Sequence, residues 1–361
     1  MGIFLIILII IGGLLEYISL HDSLKYVQFS YGPAVSETEP EAVFEVESRI
    51  SNTGLMPILS LRAACFYPEA MQLPVPSEYD SRHFARVIEE RFWLWGRQRL
   101  VRTMQVSVKK RGVHYFNGAK IERGDFLGLC SNAKEIHDRQ EMLVYPALLQ
   151  DSVLREKLGH FLGDMPARRL LMRDPILTIA AHEYSGQEPM HDISWTQTAR
   201  RGQLMVREFD HTRDFSCGLI LCVDGLQPTE YALMDMTAAL ARTAAESLTA
   251  QGVVVSFITN SALTGYQGRE CVFTRAAGHM SRELLGILSR ASGMAVCPAL
   301  ELGDELLRRE TSNAEFIVAA PRDSSAVREL CGYLNRVAGT ECLALFAEDY
   351  MEPDTKKEEA V

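Results

Sequence analysis

The chain has 361 residues, of which 47% are hydrophobic and 23% are charged. This length suits about two or three domains, and the composition excludes a disordered chain, a collagen and a coiled-coil rod. A mean hydropathy of -0.02 excludes a polytopic membrane protein. The net charge of -10 argues against nucleic acid as a partner, because phosphate binding needs a basic surface.

The cysteines predict reduced core residues. None forms a Cys-x-x-Cys pair, and most lie in apolar runs such as Cys217–Cys222. Free cysteine is usually buried, and a structural zinc site needs paired ligand spacing that this chain lacks. We therefore predict free thiols in a reducing compartment and no metal. The eight cysteines are Cys65, Cys130, Cys217, Cys222, Cys271, Cys297, Cys331 and Cys342.

The N-terminus carries an apolar run without charge from residue 2 to residue 15, which continues to Leu20 with Glu16 as its one charge. A membrane span needs about 20 such residues. A cleaved signal peptide and a buried strand are the alternatives, but no cation precedes Lys25 to form a basic leader. We predict a transmembrane signal anchor over residues 1–22 that meets the lipid bilayer through residues 2–20. Because the cations follow the span, the predicted localisation is the cell membrane, single-pass, with the soluble body in the cytoplasm.

Residues 26–147 show a period of two. Phe44, Val46 and Ile50 share one face of an extended segment whose other face is charged. This alternation is typical of half-buried strands, and it predicts a small antiparallel β-sandwich. The part from Pro74 to Gly96 has a weaker pattern, and we interpret it as a long excursion between strands.

The second half of the chain changes character. Residues 148–214 form a connector, and 215–347 alternate strands with helices. Apolar strands are predicted at 215–223, 253–258, 316–320 and 342–346, with helices after Thr229 and over 327–337. This pattern predicts a parallel, doubly wound α/β domain. The charged segment 348–361 is predicted to be a disordered acidic tail.

Three groups of residues resemble a family signature. The first is Arg111-Gly112 with the segment 124–129, and the second is Val144-Tyr145-Pro146. The third and most specific spans residues 173–208, which we call the signature segment. Its candidate partner-binding residues are Arg173, Asp174, Glu183, Tyr184, Gly186, Trp195, Arg200 and Arg207.

In these residues the chain resembles the bacterial domain-of-unknown-function 58 family. The resemblance implies a membrane anchor, a β-domain and a von Willebrand factor A-like domain, so the predicted fold class is α+β multidomain. It differs from the family pattern at His182, at Gln187 and around Met190-His191. These differences remove charges that would pair within the signature segment.

A metal site is the first chemistry to test in such a fold. The Asp-x-Ser-x-Ser pattern supplies one carboxylate and two hydroxyls to Mg²⁺. Asp224 is present, but Leu226 and Pro228 occupy the hydroxyl positions. We predict a degenerate metal site without metal or cofactor, in which Asp224 accepts hydrogen bonds from backbone amides.

A catalytic site is the second possibility. No nucleophile elbow, phosphate-binding loop or zinc-protease motif is present. One polar region could bind a metal, but its spacing fits no standard ligand frame. The region comprises His182, Glu183, His191, Asp192 and His211. Within the signature segment, Trp195 is interpreted as a structural plug, with a partner hot spot as the alternative.

The eight cations between Arg97 and Arg123 predict a solvated face of the β-domain or a contact with anionic lipid headgroups. Together these features predict no enzyme activity. The expected function is a membrane-anchored scaffold for protein–protein interaction. By resemblance, its partner is a MoxR-type AAA+ ATPase in the assembly or maturation of other proteins. The alternatives are a metal-dependent hydrolase or an adhesion module that uses the His182–His211 region or Asp224.

Overall fold

The computed structural model describes most of the chain. The described ranges are 24–124, 131–169, 178–184, 193–209, 216–227, 229–266, 270–276, 279–309, 315–339 and 341–351, with Phe4, Ile10, Gly12, Gly13, Met190 and Gly268. The contacts between residues divide the chain into two compact units. Unit 1 comprises residues 1–147, 263–268 and 285–292, and unit 2 comprises 148–262, 269–284 and 293–361.

Unit 1 is built from strands. They are β1 Val27–Pro33, β2 Glu37–Thr38, β3 Val43–Asn52, β4 Ile58–Pro68, β5 Met71–Gln72, β6 Glu78–Asp80, β7 Ala85–Leu94, β8 Arg99–Val108, β9 Gly112–Gly124 and β10 Ser131–Val144. One sheet has the order β1-β3-β8-β5, and the other has the order β2-β10-β9-β4-β7-β6. The pairs are antiparallel except for β2 with β10.

Alternate residues of both sheets meet in one hydrophobic core. In β3, Phe44, Val46 and Ile50 are buried, whereas Glu45 and Arg49 are exposed. The strand predicted for this segment is thus confirmed. The core continues through Tyr31, Tyr67 and Phe116, whose rings pack edge-to-face. Burial raises the pKa of the Tyr31 hydroxyl, which donates to the Phe66 carbonyl.

Unit 2 contains a mixed sheet and most of the helices. In chain order, the elements from residue 148 onward are α1 Ser152–Arg169, β11 Thr178–Glu183, α2 Trp195–Arg201, β12 Met205–Phe209, β13 Ser216–Leu221, α3 Tyr231–Ala250, β14 Val254–Thr259, β15 Ser261–Leu263, β16 Val272–Ala276, α4 Arg282–Arg290, β17 Ala291–Ala295, α5 Ala299–Arg309, β18 Glu315–Ala320, α6 Ser325–Ala338 and β19 Leu343–Phe346.

The five-stranded sheet has the order β16-β14-β13-β18-β19. Four of its strands are parallel, and β16 joins its edge antiparallel to β14. The strands β13 and β18 are almost wholly buried because they lie inside the sheet. On one side of the sheet, Leu302 and Leu306 of α5 and Leu330 and Leu334 of α6 pack on it. The β11-β12 hairpin and the β15-β17 pair form separate two-stranded ladders.

The predicted fold class is wrong. Strands hold a larger share of the described residues than helices do, and they belong to several sheets. The strand–helix alternation fails between residues 259 and 315, where β15, β16 and β17 intervene. Since β16 enters the sheet antiparallel, the simple doubly wound pattern and the von Willebrand factor A-like assignment do not stand.

The predicted transmembrane anchor over residues 1–22 is also corrected. No helix among the described residues is long and apolar enough to cross a membrane. Of residues 1–23, the structure describes Phe4, Ile10, Gly12 and Gly13. The predicted single-pass localisation at the cell membrane is wrong for the same reason.

The prediction that all cysteines are reduced is wrong as well. Cys271 and Cys297 form a disulfide, whereas Cys65, Cys217, Cys222, Cys331 and Cys342 are not disulfide-bonded. Spacing could not reveal this pair, because the two residues come together only when the start of β16 meets the segment before α5.

The predicted disordered tail begins with ordered residues. Ala347–Asp349 form a 3-10 turn, and Glu348 pairs there with Arg322. Residues 352–361 lie outside the described residues.

Candidate functional site

Part of the signature segment forms a small folded unit. The hairpin pairs Glu183 with Met205 and Ala181 with Arg207, and the Tyr184 amide donates to the Leu204 carbonyl at 2.9 Å. The helix α2 closes on the hairpin, since the Thr198 hydroxyl accepts from the Met205 amide at 3.0 Å. The backbone thus brings Glu183, Tyr184, Trp195, Arg200 and Arg207 into one unit.

Not every predicted residue of this segment belongs to the described ranges. Arg173, Asp174 and Gly186 lie outside the described residues, as do the side chains of Glu183 and Arg207. The same holds for His191, Asp192 and His211 of the proposed metal region, and His182 is described only by its backbone. Among the described residues, no group of three or more potential metal ligands is found.

Trp195 does not form the predicted plug. It is the first residue of α2, and 63% of its surface is exposed. Arg200 is exposed too, in the last turn of the same helix. An exposed indole favours the alternative interpretation, a contact for a partner.

Asp224 lies just beyond the carboxyl end of β13, where ligands commonly bind in open α/β sheets. Its Oδ2 accepts the backbone N–H of Ala299, the first residue of α5, at 2.7 Å. Its Oδ1 accepts from Nδ2 of Asn260 at 3.2 Å. Both oxygens therefore hold structural partners, and a carboxylate at a helix N-terminus is stabilised by the helix dipole.

The same edge of the sheet carries an ion-pair network. The Arg322 guanidinium contacts both carboxylate oxygens of Glu230 and also contacts Glu348. The hydrogen bond from Arg322 lowers the pKa of the Glu230 carboxyl. This network joins the start of α3 to the turn after β19. Ion pairs therefore hold these two segments together at this edge of the sheet.

Arg111, from the first family-like motif, has a structural role in unit 1. Its Nη1 donates to the carbonyl of Leu288 at 2.7 Å and to that of Ala291 at 2.9 Å. Arg290, in the same segment, pairs with Glu141 of β10. The motif arginine thus holds residues 285–292 against the strands of unit 1.

A cluster of exposed apolar residues lies at one end of unit 1. Two of them, Trp93 and Trp95, belong to the segment 74–96 that was predicted to be an excursion between strands and that instead contains the strands β6 and β7. We call this cluster the tryptophan tip. It comprises Leu55, Met56, Leu59, Trp93 and Trp95, which are 74%, 42%, 52%, 65% and 62% exposed. The pairing of Ile58 with Leu94 brings Leu59 and Trp93 to neighbouring positions on the outer face.

The tryptophan tip is held by a network of backbone and amide hydrogen bonds. Asn52, only 3% exposed, donates to the Met56 carbonyl at 2.8 Å and to the Trp95 carbonyl at 3.1 Å. Its Oδ1 accepts from the Gly54 amide at 3.0 Å, and the Arg97 amide donates to the Gly54 carbonyl at 2.9 Å. The two loops that carry the apolar side chains are therefore fixed to each other.

The alternation of residues 92–95 could have indicated this surface. Phe92 and Leu94 are buried, while Trp93 and Trp95 point outward. Periodicity identifies two faces, but it does not say that the face with two tryptophans is the solvent side.

No family model matches the chain. It is 21% identical over 127 residues to the uncharacterised protein YeaD of Bacillus subtilis (strain 168). The match covers 35% of this chain and 32% of that relative, so it spans about a third of the relative's length.

Solved structures show only weak likeness. A cohesin module of a Clostridium perfringens family 33 glycoside hydrolase is 16% identical, with a TM-score of 0.25 over 32% of this chain and 96% of that one. The CARDB domain of the PF1109 protein from Pyrococcus furiosus is 10% identical, with a TM-score of 0.21 over 33% of this chain and 86% of that one. Likeness at this level carries no argument about fold or function.

Proposed function

We propose that this chain is a non-enzymatic protein-interaction module that docks a partner protein on the tryptophan tip. The supporting observation is the exposure of Trp93 and Trp95 beside three further large apolar side chains. Clustered exposed apolar surface marks interaction sites, and tryptophan is enriched among the residues that dominate binding energy.

The charge around the tryptophan tip indicates the chemistry of the partner. Residues 24–36, 50–68 and 91–99 contain no aspartate or glutamate. They carry the exposed cations Lys25, Arg62, Arg91, Arg97 and Arg99. A matching partner offers an apolar pocket with an acidic rim, because complementary charge favours encounter and register.

The fixed arrangement of the two loops supports a role for this surface in binding a partner. Binding costs less when the contact residues are already ordered, and the Asn52 amide holds both loops in one arrangement. The close contact of Gly96 with the Leu55 carbonyl adds to this order, since a Cβ on Gly96 would lie 2.1 Å from that oxygen.

The identity of the partner rests on the family resemblance. From the residues that resemble the domain-of-unknown-function 58 family, we propose a MoxR-type AAA+ ATPase as the protein that binds. In this proposal the chain acts as a scaffold in the assembly or maturation of other proteins. The division into domains over 26–147, 148–214 and 215–347 also remains a prediction from the sequence.

The alternatives are a metal-dependent hydrolase and an adhesion module. Each needs oxygen or nitrogen ligands free to bind a cation. The hydrogen bonds from Ala299 and Asn260 to the two oxygens of Asp224 favour the interaction module instead.

The test uses the full chain and a purified MoxR-type ATPase from the same organism in a biosensor binding assay. The double variant Trp93→Ala/Trp95→Ala should weaken binding about thirtyfold, since truncation of a hot spot costs ~2 kcal/mol or more. Tyr79→Ala is the matched control, because Tyr79 is 53% exposed on β6, which pairs with the opposite end of β7.

Absence of ATPase binding would contradict the proposed partner. Equal affinity in the double variant and the wild type would contradict the proposed surface. A third outcome also contradicts it: if the double variant loses binding to vesicles of anionic lipid while no protein partner binds, the tryptophan tip contacts lipid.

A further inference from the structure

Two of the free cysteines lie side by side in unit 2. Cys331 is in the middle of α6, and Cys342 comes just before β19. The interaction of the two thiols lowers the pKa of the Cys331 thiol and raises that of the Cys342 thiol. Both side chains pack on the same hydrophobic core, and both residues are only half-buried.

The backbone holds this pair together independently of the thiols. The Cys342 amide donates to Oδ1 of Asn335 at 2.7 Å. Asn335 lies one helical turn beyond Cys331, on the same face of α6. The carbonyl of Asn335 also accepts from the Gly339 amide at 3.0 Å, where a left-handed glycine ends the helix. The chain that leaves α6 is thus folded back so that Cys342 returns to the face of α6 that carries Cys331.

We propose that Cys331 and Cys342 are a reversible redox site that closes to a disulfide when a hydroperoxide oxidises it. The site does not depend on the proposed function, and it is separate from the Cys271–Cys297 disulfide.

The chemistry needs one thiolate and one neighbouring thiol. The neighbouring Cys342 thiol lowers the pKa of the Cys331 thiol, so we assign Cys331 as the attacking sulfur. Its thiolate attacks one oxygen of hydrogen peroxide, the O–O bond breaks, and hydroxide leaves, so Cys331 becomes a sulfenic acid. The Cys342 sulfur then attacks the Cys331 sulfur, an S–S bond forms, and the sulfenic oxygen leaves as water. In total, two thiols and one peroxide give one disulfide and two waters.

A disulfide between Cys331 and Cys342 would hold the edge strand β19 in place. β19 lies at the edge of the five-stranded sheet, where it pairs with β18. The turn after β19 carries Glu348 to Arg322. A Cys331–Cys342 bond would tie the start of this strand to α6, as the ion pair ties the turn after it, so oxidation should protect β19 from local opening.

The test treats the reduced full chain with hydrogen peroxide and labels the remaining thiols with N-ethylmaleimide under denaturing conditions. Peptide mapping should show labelling of Cys331 and Cys342 falling together, with a linked peptide about 2 Da lighter than the two thiol peptides. Dithiothreitol should restore both labels. Cys65→Ser, a change at a core cysteine of unit 1, should leave this result unchanged.

Two variants separate the proposal from general oxidation. In Cys331→Ser, Cys342 should stay a labelled thiol. In Cys342→Ser, Cys331 should instead proceed to sulfinic acid, because the resolving thiol is gone. Linkage of either residue to Cys217 or Cys222, or full labelling of both after peroxide, would overturn the proposal.

Discussion

Asn52 donates from Nδ2 to the carbonyl oxygen of Trp95 at 3.1 Å and thereby joins two loops that are 43 residues apart in the chain. The same amide group reaches Met56, so one buried side chain orders most of the tryptophan tip. An interaction surface made of loops thus gains the rigidity of the strands beneath it.

Replacing Asn52 should destabilise unit 1. In Asn52→Ala, two carbonyl oxygens lose their buried donor and the Gly54 amide loses its acceptor, so the free energy of unfolding should fall by ~1–3 kcal/mol. Urea denaturation measures this change. The exposed Asn117→Ala in β9 is the control and should stay near the wild type. An Asn52→Ala chain as stable as the wild type would show that the amide does not hold the loops.

Adding a methyl group at Gly96 should disturb the tryptophan tip. A Cβ there would lie 2.6 Å from the Leu55 carbonyl carbon and would also clash with its oxygen. Because both are backbone atoms, relieving the clash would require a shift of the main chain. Gly96→Ala should lower the free energy of unfolding by ~1–3 kcal/mol and weaken partner binding.

Gly159→Ala should raise the free energy of unfolding. Gly159 lies in α1 with nothing within 4 Å of the added atom, so the helix should gain ~0.5–1 kcal/mol. Equal effects of the two changes would refute this packing argument.

The Glu230–Arg322 pair predicts a dependence of stability on pH. Because Arg322 lowers the pKa of Glu230 from its ordinary value of 4.5, the pair stabilises the folded state fully above that value. The contribution is lost as pH falls through the lowered folded pKa. Glu230→Gln should therefore be less stable than the wild type at neutral pH, and the two unfolding curves should converge in acid. The exposed Glu329→Gln on α6 should show no such convergence, and a Glu230→Gln deficit that persists in acid would contradict the ion-pair explanation.

Asp224 should matter for stability and not for a cation. Asp224→Ala removes the acceptor of the Ala299 amide at the start of α5, and loss of such a helix cap costs ~0.5–2 kcal/mol. Thermal unfolding of the wild type should be the same with Mg²⁺ and with a chelator. A thermal midpoint that Mg²⁺ raises in the wild type but not in Asp224→Ala would support the metal-dependent alternatives.

Elements with a strong period were predictable from the sequence. The helix predicted after Thr229 corresponds to α3, where Leu233, Leu240, Ala244 and Leu248 are buried at helical spacing. The strand predicted at 316–320 corresponds to β18, which is apolar because both faces are covered. In each case, burial repeats at an interval that the amino-acid pattern already contains.

The region between β14 and β18 was not predictable in the same way. β15 has three residues and β16 has five, and such short strands carry too little alternation to identify. The antiparallel entry of β16 depends on pairing with Val255–Thr259, which is a long-range contact. These short elements explain why the predicted doubly wound pattern failed.

The candidate site depended even more on tertiary structure. The sequence singled out Trp195 and Asp224, but it did not show that the first is exposed and that the second has both oxygens engaged. The tryptophan tip escaped prediction because Leu55 and Trp93 lie far apart in the chain. The pairing of β4 with β7 and the hydrogen bonds of Asn52 bring them to one end.

The most direct test of the central claim is photo-crosslinking in living cells, with p-benzoylphenylalanine placed at position 93 or, as control, at position 79. Our account predicts that the probe at position 93 crosslinks to a MoxR-type AAA+ ATPase, identified by mass spectrometry, and that the probe at position 79 does not. Equal yields from both positions, or no protein crosslink from position 93, would contradict it.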